Sequence, residues 1–236
     1  EFDIYKLLEH SLEFEILNNK YNRFNPFKVL RIDKFEIRHS NFLAWLLDPR
    51  GNHKLGSFFV KKFLARAFLK EENKILLEKC NIDLLKIKEG YFDDLEVLRE
   101  VSTYSNRKID LLCISENMKI VLLIENKYIS GESLGQLDDY LDFVKKKYSD
   151  FTIMPIFLSL YGVEPTNNNY FIGDYSDILS ILKDFIKINE EFTNKDIVNF
   201  VKYYIDILES ELVKDEAKMA ISVTMAPRAR IEVNAA

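Results

Sequence analysis

The spacing of apolar and polar positions changes period twice along this chain. Residues 1–20, EFDIYKLLEHSLEFEILNNK, carry Ile4, Leu7, Leu8, Leu12 and Ile16 at helical spacing, which predicts an amphipathic helix. NRFNPF at 22–27 breaks that pattern. The spacing predicts a second helix over 33–47, stopped by Asp48-Pro49-Arg50-Gly51-Asn52. It predicts a third over 55–79, with Phe58, Phe59, Phe63 and Phe68 as the core stripe. From residue 94 the chain reads as strands: DLEVLREVSTYS (94–105), KIDLLCIS (108–115) and IVLLIENK (120–127). The last two, joined by ENMK (116–119), form a hairpin. SLGQLDDYLDFVKKKY (133–148) returns to helical spacing through Leu134, Leu137, Leu141 and Val144. FTIMPIFLSLYG (151–162) is a buried strand, YFIG (170–173) a short edge strand, and 176–188 and 194–214 are amphipathic helices.

A β-β-β-α-β core between helical ends predicts a mixed α/β fold. The expected organisation is one domain over 1–236: a helical region at 1–80, a core at 94–173, helices at 174–216 and a tail at 217–236. The segment from Lys218 onward is rich in Ala and almost free of Lys; it is read as a small strand pair or a vector-derived addition, with no function placed on it.

Composition narrows the class. Hydrophobic content of 47% with 30% charged residues is that of a globular chain. No apolar run approaches the ~20 residues of a membrane span. The first residues show no secretory-signal pattern, although the sequence opens at Glu1 rather than Met. Cys80 and Cys113 stand in unrelated contexts, which predicts buried thiols in a reduced cytoplasmic setting. The net charge of −5 argues against a general polyanion-coating protein. The stretch from Lys20 to Lys74 nevertheless holds thirteen Lys/Arg against five Asp/Glu. Such a basic stretch is either a nucleic-acid footprint or a set of solvated helix faces, and charge alone favours the second. The acidic C-terminal helix, with Asp206, Glu209, Glu211, Asp215 and Glu216, leaves a protein partner or a homo-oligomer open.

The chemistry concentrates at one strand end. Ile120–Ile124 is an apolar run of the kind buried on both faces, and it passes without a turn into Glu125, Asn126 and Lys127. Desolvating a carboxylate or an ammonium costs several kcal/mol unless something compensates. Strand alternation puts Glu125 and Lys127 on one face and Asn126 on the other. A turn centred between residues 117 and 118 places Asp110 opposite Glu125. Two carboxylates at one point repel, and a divalent cation resolves the repulsion. Mg²⁺ needs only one or two carboxylates, with water and substrate phosphate completing its shell. The Asn126 carbonyl is a candidate third oxygen, and Lys127 is placed to orient or deprotonate an attacking water or to stabilise phosphate charge. The parts suit phosphodiester hydrolysis.

Asp110 followed after a hairpin by Glu125-Asn126-Lys127 resembles the D…(D/E)xK signature of the PD-(D/E)XK nuclease superfamily, with Ile109 in place of the frequent Pro. Gln136-Leu137-Asp138-Asp139-Tyr140 is similar to the QxxxY helix of the RecB-like and lambda-exonuclease-like branch. FEIRHSNFLAWLLDPRGNH (35–53), with RE (99–100), RKIDLL (107–112) and IENK, resembles a bacterial subgroup of the same superfamily. The likeness spans roughly residues 25–165. It implies a restriction-endonuclease-like core, Mg²⁺ or Mn²⁺ held by Asp110 and Glu125, and assistance to water by Lys127. It further implies that Gln136 and Tyr140 position a nucleic-acid strand, DNA rather than RNA. Defence against foreign DNA and repair are both compatible roles.

Other residues have two readings. Glu36, on the helix before the core, and Glu100, on the strand before the hairpin and expected to be half-buried, are equal candidates for an extra acidic group. His39 shares a helix face with Glu36 and either touches phosphate or is a satisfied core histidine. Arg38, Arg50 and Lys54 either contact phosphate or are solvated. His39 and His53 with Asn41 and Asn52 do not make an HNH site, which needs a hairpin leading into a helix. Three scattered His and two unrelated Cys do not make a zinc site. Two further readings stay open: a catalytically inactive nucleic-acid-binding module on the same fold, and a protein-interaction module.

Overall fold

The computed structural model describes residues 23–80, 82, 84–128 and 131–225, with side chains as far as Val213. The helix expected over 1–20 lies outside the described residues. The helices are α1 (Pro26–Val29), α2 (Glu36–Leu47), α3 (Phe58–Phe68), α4 (Lys74–Cys80) and α5 (Leu84–Glu89) before the sheet. Within and after the sheet come α6 (Gln136–Lys147), α7 (Tyr175–Asn189) and α8 (Lys195–Met225). The strands are β1 (Glu96–Ser102), β2 (Lys108–Ser115), β3 (Ile120–Lys127), β4 (Thr152–Ser159) and β5 (Phe171–Asp174). They form one five-stranded sheet in the order β1-β2-β3-β4-β5. β1, β2 and β3 are antiparallel, whereas β4 runs parallel to β3 and β5 parallel to β4. The parallel β3–β4 pair requires a crossover, and α6 supplies it.

The sheet is covered on both faces, which explains the unbroken apolar runs of its central strands. Leu111, Cys113, Leu122, Ile124, Ile156 and Leu158 pack on one side with residues of α2, α3, α7 and α8, such as Leu46, Phe63, Ile178 and Val201. Leu112, Ile114, Val121, Leu123 and Phe157 pack on the other side against Leu137, Tyr140, Leu141 and Val144 of α6. β2 and β3 therefore occupy the expected residues, and the α/β, restriction-endonuclease-like architecture holds. Among the described residues no helix is long and apolar enough to cross a membrane.

The short helices α1 and α5 fall where no helix is expected, and two expected elements differ. The helix read over 55–79 is interrupted: α3 ends at Phe68, and the chain passes through a 3-10 turn at Glu71–Asn73 before α4 begins. Tertiary bonds override the local periodicity there. The Lys70 ammonium pairs with Asp174 and, at 2.8 Å, with Asp177, at the start of α7. Asn73 is 1% exposed, and its side chain completes the edge strand: Nδ2 donates to the carbonyls of Ala67 and Ile172, and Oδ1 accepts from the Ile172 N–H at 2.8 Å. At the other end, α8 continues to Met225, so residues 218–225 are helical rather than a strand pair. Ala217 and Ala220 favour that outcome.

The Asn73 clamp generates a stability prediction. Asn73→Ala leaves buried donors and acceptors of β5 and α3 unpaired and should cost about 2–4 kcal/mol. Urea unfolding followed by circular dichroism measures it. A loss below about 0.5 kcal/mol would mean that Asn73 does not hold β5.

Candidate active site

The hairpin register is the first determinant of the site. Leu111 faces Ile124 and Leu112 faces Leu123, so one further step along the same register sets Asp110 opposite Glu125. The contact is direct: the Asn126 N–H donates to Asp110 Oδ2 at 2.8 Å. The side chain of Asp110 thus fills a ladder position at which the pairing of β2 with β3 has ended.

Glu125 is 1% exposed. Its Oε1 accepts from the Lys127 ammonium at 2.7 Å and from Gln136 Nε2 at 2.7 Å. Glu125 and Lys127 share a face, as strand alternation requires. Gln136 Nε2 also donates to the Tyr140 hydroxyl at 2.8 Å, and that hydroxyl in turn donates to the Lys108 carbonyl. Gln136 and Tyr140, four residues apart on α6, thereby attach one helix face to both strands of the hairpin. Glu125 Oε2 is buried and receives no hydrogen bond, and the carboxyl of Asp110 lies within hydrogen-bonding reach of Glu125.

The electrostatics follow from two carboxyls and one ammonium in a desolvated pocket. Burial raises Glu125 to about 8, and the negative charge of Asp110 adds to the effect, against the attraction of Lys127. Burial also raises Asp110, while the Asn126 N–H and Lys127 pull it back and Glu36 pushes it up. Burial alone would lower Lys127, but Glu125, then Glu36 and Asp110, outweigh it and hold Lys127 above its ordinary value. Lys127 is therefore an ammonium at neutral pH, and one unit of negative charge remains to be met by a proton or a cation. A divalent ion fits this demand, because Glu125 Oε2 is a buried oxygen with no donor and Asp110 stands beside it. Among the described residues no three His, Cys, Asp or Glu side chains converge on one point. The protein would thus offer two carboxylates and leave the other positions to water and phosphate, which is the binding mode Mg²⁺ favours.

The remaining sequence candidates separate. Glu36, at the first turn of α2, is close enough for its charge to act on both Asp110 and Lys127. Glu100 lies one step from the paired positions of β1, level with Asp110, but it adopts φ +50° and turns out of the pleat. Its side chain is only partly buried, at 47% exposed, and meets Lys108 at 3.5 Å. His39 is 2% exposed, with Nε2 bonded to the Asp33 carbonyl and Nδ1 to the Tyr204 hydroxyl, both at 2.8 Å. Neither nitrogen is left for a phosphate, and burial lowers its pKa to about 4, so His39 takes the core reading. Arg38 is exposed on α2. The Asn126 side chain points to the face opposite Glu125, as expected, where it bonds Ser40 and Tyr175. His53 bonds the Trp45 carbonyl and the Leu55 N–H, which closes the loop after α2. Of the basic stretch, Arg50, Arg66, Lys70 and Lys74 have acidic partners within the fold.

Sequence reasoning passed over Ser40, Tyr128, Tyr175 and Tyr204, which surround Asn126 and His39. Ser40, one helical turn after Glu36, and Tyr128, directly after β3, are near the site in sequence; Tyr175 and Tyr204 arrive from α7 and α8.

The raised Glu125 carboxyl makes stability depend on pH. Without a divalent cation, the folded protein holds a proton more tightly than the unfolded chain between pH 4.5 and about 8. Stability is then full below that window and falls as pH rises through it. Cation-free protein should lose on the order of 10 °C in Tm across the window. Glu125→Gln should flatten the slope. Thermal unfolding at stepped pH checks this, and parallel slopes in the two proteins would refute it.

Comparison with known proteins bears on the whole assembly. No curated protein and no solved structure gives a significant match. A family model described as the PD-(D/E)XK nuclease superfamily matches residues 24–212. The match covers the sheet, α6, the Asp110–Glu125–Lys127 site, and the helices α7 and much of α8, well beyond the segment whose motifs are legible by eye. The chain belongs to the PD-(D/E)XK nuclease superfamily.

Proposed function

We propose that this chain is a divalent-cation-dependent nuclease that hydrolyses phosphodiester bonds in DNA, with a role in defence against foreign DNA or in repair. The observation that carries the reading is the buried, donorless Glu125 Oε2 beside Asp110, with the Lys127 ammonium on the same face. A divalent cation bound by Asp110, Glu125 and the Asn126 carbonyl would supply Lewis acidity toward phosphate and water. Mg²⁺ and Mn²⁺ both suit these oxygen ligands.

The chain's own groups have defined tasks. Gln136 holds Glu125 Oε1, which leaves Oε2 without a donor. Lys127 remains protonated, so it acts as a fixed positive charge. It aligns the attacking water and stabilises the negative charge carried by the non-bridging phosphoryl oxygens as the new P–O bond forms and the bond to the leaving sugar oxygen breaks. It does not serve as a free-amine base while Glu125 and Asp110 surround it. The Glu36 carboxyl acts electrostatically on Asp110 and Lys127, and Tyr140 fixes the distance between α6 and the hairpin. DNA is preferred over RNA on family likeness, and a cytoplasmic location accords with two free cysteines.

The test is cleavage of linear, circular, single- and double-stranded DNA and of RNA with Mg²⁺ or Mn²⁺. Lys127→Met and Glu125→Gln should each lower the rate by about 10²–10³-fold, and chelation should abolish it. Cleavage of RNA alone would overturn the DNA assignment. No cleavage of any substrate would overturn catalysis and leave an inactive binding module.

A further inference from the structure

Behind the sheet, on the face away from Glu125, Asn126 sits at the centre of a buried polar network whose protons can each be assigned. Asn126 is fully buried, as is Tyr175, and Ser40 is 4% exposed. The Ser40 hydroxyl donates to the Glu36 carbonyl at 3.3 Å, so its oxygen is the acceptor for Asn126 Nδ2 at 3.0 Å. That orients the amide, and Asn126 Oδ1 accepts from the Tyr175 hydroxyl at 2.8 Å. The neighbouring tyrosine is oriented in the same way. The Asp33 carbonyl can only accept, so His39 carries its proton on Nε2, and the Tyr204 hydroxyl donates to Nδ1. His39 also stacks on Tyr128 with ring centroids 3.5 Å apart, and Tyr128 packs edge-on to Tyr175 at 4.9 Å. The Asn126 carboxamide is thus held from two helices, α2 and α7, while its backbone N–H reaches through the strand to Asp110 Oδ2.

From this we infer that Tyr175 and Ser40 are positioning residues for the active site: through the Asn126 side chain they fix the backbone N–H that aims the Asp110 carboxylate at Glu125. The inference rests on the nuclease reading for its purpose but not for its geometry. A carboxylate that meets an ion in a desolvated pocket must be preset, because each free rotamer weakens binding. Groups that orient metal ligands from behind commonly change metal affinity by about 10–100-fold when removed. The middle residue of the Glu125-Asn126-Lys127 triplet, which contributes no side chain to the pocket, then has a reason to be a carboxamide: it alone offers a donor to Ser40 and an acceptor to Tyr175. The arrangement also ties Glu36 to the site, since Ser40 bonds the Glu36 carbonyl and Asn126 together.

The test uses the full chain with Tyr175→Phe and Ser40→Ala, which keep the ring and most of the volume, beside Asn73→Ala as a destabilised control far along the fold. Two quantities are read without nucleic acid: amide hydrogen exchange at Asn126 by NMR, and Mn²⁺ binding by calorimetry. In Tyr175→Phe the Asn126 amide should exchange roughly tenfold faster while Leu122 and Leu123 keep their protection, and Mn²⁺ should bind about tenfold more weakly. Ser40→Ala should move both in the same direction, and Asn73→Ala neither. If Tyr175→Phe loses stability as Asn73→Ala does, yet keeps wild-type Asn126 exchange, the positioning role is overturned. It is equally overturned by unchanged Mn²⁺ binding in a wild-type protein that binds the ion. Wild-type protein that binds no Mn²⁺ but shows the exchange effect supports the positioning and overturns the metal-dependent reading.

Discussion

A carboxylate that is 1% exposed at the end of a central strand dominates this molecule. Removing such a group from water costs several kcal/mol, and the fold meets that cost only in part. One oxygen of Glu125 has an ammonium and an amide, the other has no hydrogen-bond donor, and a second carboxyl, Asp110, stands close by. Charge is left over by construction. The second carboxylate of the pocket is balanced only by a proton or a cation, since the Lys127 ammonium meets just one of the two. Replacing the group by an apolar residue would stabilise the sheet more simply.

Much of the surrounding structure serves to keep that arrangement. The antiparallel hairpin brings Asp110 level with Glu125, and the parallel β3–β4 pair forces the crossover that lays α6 over them. α6 spends Gln136 on Glu125 and Tyr140 on the Lys108 carbonyl. On the reverse face α2 and α7 grip Asn126. The site is thus held from both layers of the fold, with its charged groups on one side of β3 and its orienting groups on the other. The strand is thin enough for a backbone N–H to couple the two.

The same logic explains His39. His39 stands close to the acidic cluster in sequence and in space, yet its nitrogens are taken by a carbonyl and a hydroxyl, and its ring is stacked on Tyr128. Proximity to buried carboxylates does not make a reactive histidine when burial holds the ring neutral. Glu36 and Glu100 diverge for a backbone reason. Glu36 starts a helix aimed at the strand ends, whereas Glu100 departs from the pleat at positive φ and reaches solvent.

The sequence by itself determined the hairpin, its register and the face-sharing of Glu125 with Lys127, because these depend on short-range alternation and on the turn between residues 115 and 120. It also determined the four-residue spacing of Gln136 and Tyr140, a property of the helix alone. Other features needed the tertiary structure. The break in the helix after Phe68 arises from Lys70 and Asn73 bonding to β5 and α7 about a hundred residues on, and no local pattern encodes such partners. The choice between Glu36 and Glu100, the burial of His39 and the tyrosines around Asn126 all turn on which distant side chains share a desolvated volume. Periodicity specifies which face a residue occupies, and only packing decides what that face meets.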